Sequence, residues 1–162
     1  MLLRDVEPAD LAAYVRMRCD PVMMTELGGP QPRERIPGQL QRDLETVSEG
    51  SAWIKMIVPD DSMQVAGTVT LYSHDGISEI GWMVLPEFRG RGLASEAVRV
   101  VLGLARADGR WGLIHAFPSR TNAASNAICR SAGFSPAGEE ETTFAGRTFQ
   151  TNHWVVDSSA PA

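Results

Sequence analysis

One short string constrains this chain most: Arg89-Gly90-Arg91-Gly92-Leu93-Ala94. It follows a strand-like run from Ser78 to Leu85 that Pro86 stops, and it opens an apolar-periodic segment from Leu93 to about Ala107. The three pieces read as strand, loop and helix. Gly90 and Gly92 let the loop turn tightly and let a bulky anion approach the backbone. A helix beginning near Leu93 leaves its first amides unpaired at the positive end of its dipole, so a pyrophosphate is the expected ligand, with Arg89 and Arg91 beside it. Two competing phosphate motifs are missing: a Walker-type lysine followed by serine or threonine, and a Gly-x-Gly-x-x-Gly with a distant acid. The six residues alone also fit a glycine turn that caps a helix without any ligand. Their surroundings must therefore carry the inference.

Before the loop, Leu2 to Arg4 reads as a short strand, and Pro8 opens a helix that ends before Pro21. Two glycines and four prolines in the stretch that runs from Asp20 through Pro37 predict a loop, followed by a second helix from Gln39 to Glu49. Ala52 to Val58 and Gln64 to Tyr72 flank Pro59-Asp60-Asp61-Ser62 and read as a hairpin. After the loop, Asp108-Gly109-Arg110 breaks the helix, and Leu113 to Phe117 suits a buried parallel strand. Thr121 or Asn122 caps the next helix, which runs to Ala132 with Gly133 at its end and Phe134 closing it. Glu139 to Phe144 and Arg147 to Val156 flank Ala145-Gly146 as a closing hairpin. Residues 1–157 are expected to form a single domain, with a flexible tail at 158–162.

Composition narrows the function classes. The formal charge of -5 argues against a nucleic-acid-binding surface. Neither a secretion signal nor an apolar stretch of about 18 residues opens the chain, so a cytoplasmic protein with no membrane contact is expected. Cys19 and Cys129 are too few for a disulfide framework or a zinc site, and His74, His115 and His153 lack ligand spacing, so no metal is expected.

The run from Glu79 through Leu85-Pro86-Glu87-Phe88-Arg89-Gly90-Arg91-Gly92-Leu93-Ala94-Ser95-Glu96-Ala97 resembles the acetyl-CoA signature of the GNAT superfamily. A second block, Asn122-Ala123-Ala124-Ser125-Asn126-Ala127-Ile128-Cys129-Arg130-Ser131-Ala132-Gly133-Phe134, is similar to the later GNAT motif, most closely to its form in ribosomal-protein N-terminal acetyltransferases. The resemblance implies an α/β (α+β) fold: a central mixed, mostly antiparallel sheet, splayed between its fourth and fifth strands and flanked by about four helices. It also implies an acetyl-CoA-dependent N-acetyltransferase. The backbone of Trp82, Met83 and Val84 would pair with the pantetheine arm. Arg89, Gly90, Arg91, Gly92, Leu93, Ala94 and Ser95 would hold the pyrophosphate, and Asn122 and Ser125 would complete the cofactor site.

Transfer to an amine needs the neutral form. An alkylammonium with a pKa near 10 is only about one part in a thousand deprotonated at neutral pH, which costs roughly 4 kcal/mol. Glu79 is the candidate base, because strand alternation puts it on the face of Gly81 and Met83, where it can act through water. An acid at a strand start is also a common solvated edge residue. Glu96 reads as a helix-dipole charge. Many members of the resembled family carry a tyrosine four positions before the Gly-Phe pair, as the acid for the leaving thiolate; here Cys129 stands there. Ser125, one turn earlier, is the candidate hydroxyl donor, and Cys129 reads as a buried hydrophobe. The acceptor stays open among a protein or peptide N-terminus, an antibiotic amine and a small metabolite. A non-catalytic acyl-CoA-binding regulatory domain is the alternative. Exposed strand edges make a homodimer the expected assembly.

Overall fold

The computed structural model describes residues 1–144 and 146–160. Seven strands form one sheet in the order β1-β2-β3-β4-β5-β7-β6, where β1 is Leu2–Asp5, β2 Ala52–Val58, β3 Gly67–His74, β4 Ile77–Val84, β5 Leu113–Ala116, β6 Ser135–Phe144 and β7 Arg147–Asp157. Four α-helices accompany it among the described residues: α1 Leu11–Cys19, α2 Ile36–Ser48, α3 Leu93–Asp108 and α4 Ala123–Ser131. None is long and apolar enough to cross a membrane. All neighbouring strands are antiparallel except β4 and β5. That parallel pair is short: Ser78 faces Ile114 and Glu79 faces His115, and beyond them the strands diverge. This is the mixed, splayed GNAT sheet that the resemblance implies.

Local chemistry explains most boundaries. Buried Asp10 is gripped at both its oxygens by Arg4, at 2.9 and 2.8 Å, and it also accepts from the Glu7 amide, closing the short 3-10 turn Pro8–Asp10 that leads into α1. Helix α3 buries Leu93, Ala97, Val98, Val101, Leu102 and Ala105, a stripe at helical spacing that packs on β3 and β4. Gly109, in the left-handed region, ends it with its amide on the Ala105 carbonyl. Of the two cap candidates for α4, Asn122 fills the position: its side-chain oxygen accepts from the Ser125 amide at 3.0 Å. The far end of α4 is a Schellman turn, with the Phe134 amide on Cys129 and the Gly133 amide on Arg130.

Several expected boundaries shift. Helix α2 begins at Ile36 instead of Gln39, because Pro37 is accommodated in a first turn that has no use for its missing N–H. Strand β3 starts at Gly67, since the loop before it is tied differently: the Ala66 amide reaches Ile57 and its carbonyl accepts from Leu85. A Cβ on Gly67 would stand 2.1 Å from the Met83 carbonyl oxygen, so only glycine fits this crossing. Strand β6 starts at Ser135 instead of Glu139: Pro136 and Gly138 read as turn residues but sit at an irregularity in an edge strand, where both are tolerated. Ala145 of the closing turn lies outside the described residues. Ser158, expected to begin a flexible tail, is buried, and its amide and hydroxyl both donate to the Gly112 carbonyl, at 2.8 and 2.6 Å. Residues 161–162 of that tail lie outside the described residues.

Candidate active site

The divergence of β4 from β5 opens a cleft of about 750 Å³. One wall is β4 from Glu79 to Val84, the floor is the loop Arg89 to Ser95, and the opposite wall includes Asn122 and Ser125. The two candidate catalytic residues, Glu79 and Ser125, and every candidate cofactor-binding residue line this cleft. At its floor, Gly90 and Gly92 take left-handed φ values of 76° and 74°, and a Cβ on either would meet nothing within 4 Å. Among the described residues the amides of Gly90 to Ser95 have no backbone acceptor, and the first helical bond runs from Glu96 to Gly92. The result is a set of unpaired donors at a helix N-terminus beneath open space, which fits a pyrophosphate. The two arginines are already engaged: Arg89 donates to the Val84 carbonyl and the Met23 sulfur, and Arg91 pairs with Asp61 at 2.7 Å. The cradle is therefore chiefly backbone.

On the β4 wall, Glu79 does not stand alone. Its carboxylate lies 2.5 Å from His74 Nε2, and the β3–β4 register sets Tyr72 directly opposite. The Tyr72 ring stacks on His74, with centroids 5.2 Å apart. Burial, then the Glu79 charge, push the Tyr72 phenol well above its ordinary pKa, so it stays protonated beside the carboxylate. Parallel pairing puts His115 on the other flank of Glu79, and His115 Nδ1 is 2.7 Å from His153 Nε2. Burial and that second imidazole hold His115 below its usual pKa.

Across the gap, the Trp82 indole donates to the Ser125 hydroxyl oxygen. Accepting there leaves the Ser125 hydrogen free to donate elsewhere. Asn126, one residue on, is buried and satisfied at every polar atom: Nδ2 donates to the carbonyls of Ser119 and Asn122, while Oδ1 accepts from Asn152 and Trp154. It bolts α4 to β7. Cys129 is fully buried, and desolvation pushes its thiol up to about 12.

The remaining wall comes from residues that no motif singles out. Arg18 on α1, then Met23, Thr25 and Glu26 in the following loop, line the cleft together with Phe144 and Phe149 of the last hairpin. Glu26 is tied to Thr121 at 2.6 Å. Arg18 is 7% exposed, its guanidinium lies over the Tyr14 ring, and burial draws its pKa down. No short string encodes these contacts. The one signal that was available is Asp75-Gly76, with φ of 48° and 79°: a two-residue hairpin turn that fixes Tyr72 opposite Glu79.

Comparison with known proteins agrees with this geometry. The family model described as Acetyltransferase (GNAT) domain matches residues 1–135. No curated protein matches the sequence significantly. Among solved structures, RimL, a ribosomal-protein alpha-N-acetyltransferase in complex with coenzyme A, superposes with a TM-score of 0.81 at 18% identity, covering 96% of this chain and 92% of that one. An acetyltransferase from Salmonella typhimurium that modifies the N-terminal serine of a 50S ribosomal subunit protein gives 0.78 at 18%, covering 96% and 93%. The ribosomal-protein-alanine N-acetyltransferase from Brucella melitensis gives 0.78 at 22%, covering 97% and 99%. With the family model spanning most of its length, the chain belongs to the GNAT acetyltransferases, enzymes whose acetyl donor is acetyl-CoA.

Proposed function

We propose that the protein acetylates a primary amine by direct attack, and that the amine is the N-terminus of a peptide or protein. The observation that carries this reading is the cleft joining three parts: the amide cradle at Gly90 to Ser95, the edge of β4 that β5 leaves unpaired, and two acids on separate walls, Glu79 and Glu26. The ribosomal-protein acetyltransferases among the structural relatives support the choice of acceptor.

Bound acetyl-CoA would supply an electrophilic thioester carbonyl and a thiolate leaving group. The amides of Gly90 to Ser95 would bind its pyrophosphate, and the backbone of Trp82, Met83 and Val84 would pair with its pantetheine arm. Glu79 would take the proton of the incoming ammonium, directly or through water, with His74 and His115 beside it to pass the charge on. Ser125 would offer its hydroxyl hydrogen to the departing sulfur, made a better donor by the hydrogen bond it accepts from Trp82. Asn122 would hold the start of α4 in place under Ser125.

The buried Cys129 favours a second reading, a non-catalytic acyl-CoA-binding domain, because the position offers no titrating hydroxyl. One experiment separates the two. Peptides, aminoglycosides and polyamines are incubated with acetyl-CoA while free thiol is read, and calorimetry measures cofactor binding in parallel. Thiol release with peptide acceptors supports transfer; tight cofactor binding with no release from any amine supports the sensor.

A further inference from the structure

Two formally charged side chains, Asp10 and Arg18, are buried among the described residues, and they differ in one respect. Asp10 is held by Arg4. Arg18 has no salt bridge and no side-chain hydrogen bond among the described residues, and its Nη1 is fully buried without an acceptor. Asp43, the acid near it, is already taken: it accepts from the Tyr14 hydroxyl at 2.5 Å and from Gln39 at 2.8 Å. What Arg18 does have is the Tyr14 ring, 4.2 Å from its Cζ, which holds the planar cation from one face and leaves its edge without partners. Arg18 lines the cleft, together with Thr25 and Glu26.

A desolvated guanidinium with an empty donor edge is costly to the fold and is relieved by a planar oxyanion. The cofactor's phosphates have their own cradle at Gly90 to Ser95, so Arg18 is left for the acceptor. We propose that Arg18 is a specificity residue that binds a carboxylate carried by the acceptor, so that the preferred substrates are amines bearing a nearby carboxylate. This rests on reading the cleft as an acetyl-transfer site. The cleft then sorts its substrate by charge: Glu26 and Glu79 face the ammonium, and Arg18 takes the acid. The same chemistry is presented by an acidic side chain near a peptide N-terminus and by the α-carboxylate of a free amino acid.

The test uses matched acid and amide acceptors: peptides beginning Ser-Asp and Ser-Asn, and glutamate with its α-amide. Thiol release gives kcat and KM for the wild type, Arg18→Met and Arg18→Lys. The wild type is expected to prefer the acid member by about ten- to a hundred-fold, mainly through KM. Arg18→Met should erase that preference while changing turnover of the amide by less than about three-fold, and Arg18→Lys should keep part of it. The pair that shows the effect identifies the source of the carboxylate. Equal use of acid and amide by the wild type overturns the proposal; so does an equal loss on both in Arg18→Met, or a weakened affinity of that variant for coenzyme A. Should no amine be acetylated, the transfer reading fails separately. Calorimetry of the same acids and amides against the coenzyme-A-loaded protein then decides Arg18: acid-selective heat absent from Arg18→Met supports it, and no acid selectivity overturns it.

Discussion

The indole nitrogen of Trp82 donates a 3.2 Å hydrogen bond to the hydroxyl oxygen of Ser125, joining β4 to α4 across the gap where the sheet parts. The bond spans the two walls of the cleft and orients the one hydroxyl proposed to meet the leaving sulfur. Ser125→Ala is expected to lower kcat about ten-fold or more with little change in KM for acetyl-CoA, measured by thiol release. Trp82→Phe, which keeps the ring and removes the donor, should lower kcat by about three-fold.

Glu79→Gln keeps the shape of the side chain and its place beside His74 while removing the base. Loss of about a hundred-fold or more in kcat/KM is expected, read by thiol release. An unchanged kcat/KM would take Glu79 out of the chemistry.

Gly92→Ala tests the cradle. A methyl at Gly92 meets no atom within 4 Å, so its cost to the fold is the left-handed backbone alone, about 1 kcal/mol. Affinity for coenzyme A should fall by much more, since the methyl would stand where a phosphate approaches. Thermal melts set beside calorimetry separate the two effects.

How far the residues disclosed the molecule depends on how local each determinant is. The Asn122 cap, the Gly133 turn and the glycine loop are written within a few residues of where they act; local pattern marks the turn and the loop and narrows the cap to Thr121 or Asn122. Strand β6 was shortened in the reading because Pro136 and Gly138 signal turns unless the strand is known to lie at an edge. Gly67 carries no local mark of its crossing with Met83, since that contact spans two strands. In the cleft, Glu79 and Ser125 sit inside recognisable strings, whereas Arg18, Tyr72 and Glu26, and His74 bonded to Glu79, arrive through tertiary packing and hairpin register.

Asn126 is where local and long-range determinants meet. Asn126→Ala strands the donors of Trp154 and Asn152 and leaves the Ser119 carbonyl without its side-chain partner. A loss of about 3 kcal/mol follows, seen as a fall in Tm of about 6 to 12 °C.

Cys129 sets a pH dependence of stability. Its folded thiol is raised from an ordinary 9.0 to about 12 by burial, so the folded state keeps a proton that the unfolded chain releases. Stability should therefore decline as pH rises from about 9 towards 12, and Cys129→Ala should flatten that decline in urea melts across the range.

The two register pairs that join β4 to β5 form the apex of a wedge-shaped opening. Glu79 sits at that apex, paired with His115, while Val84 and the glycine loop lie away from it along the same strand. Because β4 stays paired to β3 from Ile77 to Val84, the sheet itself props the wedge open. The span from the carboxylate to the loop is thus ruled off by the length of one strand.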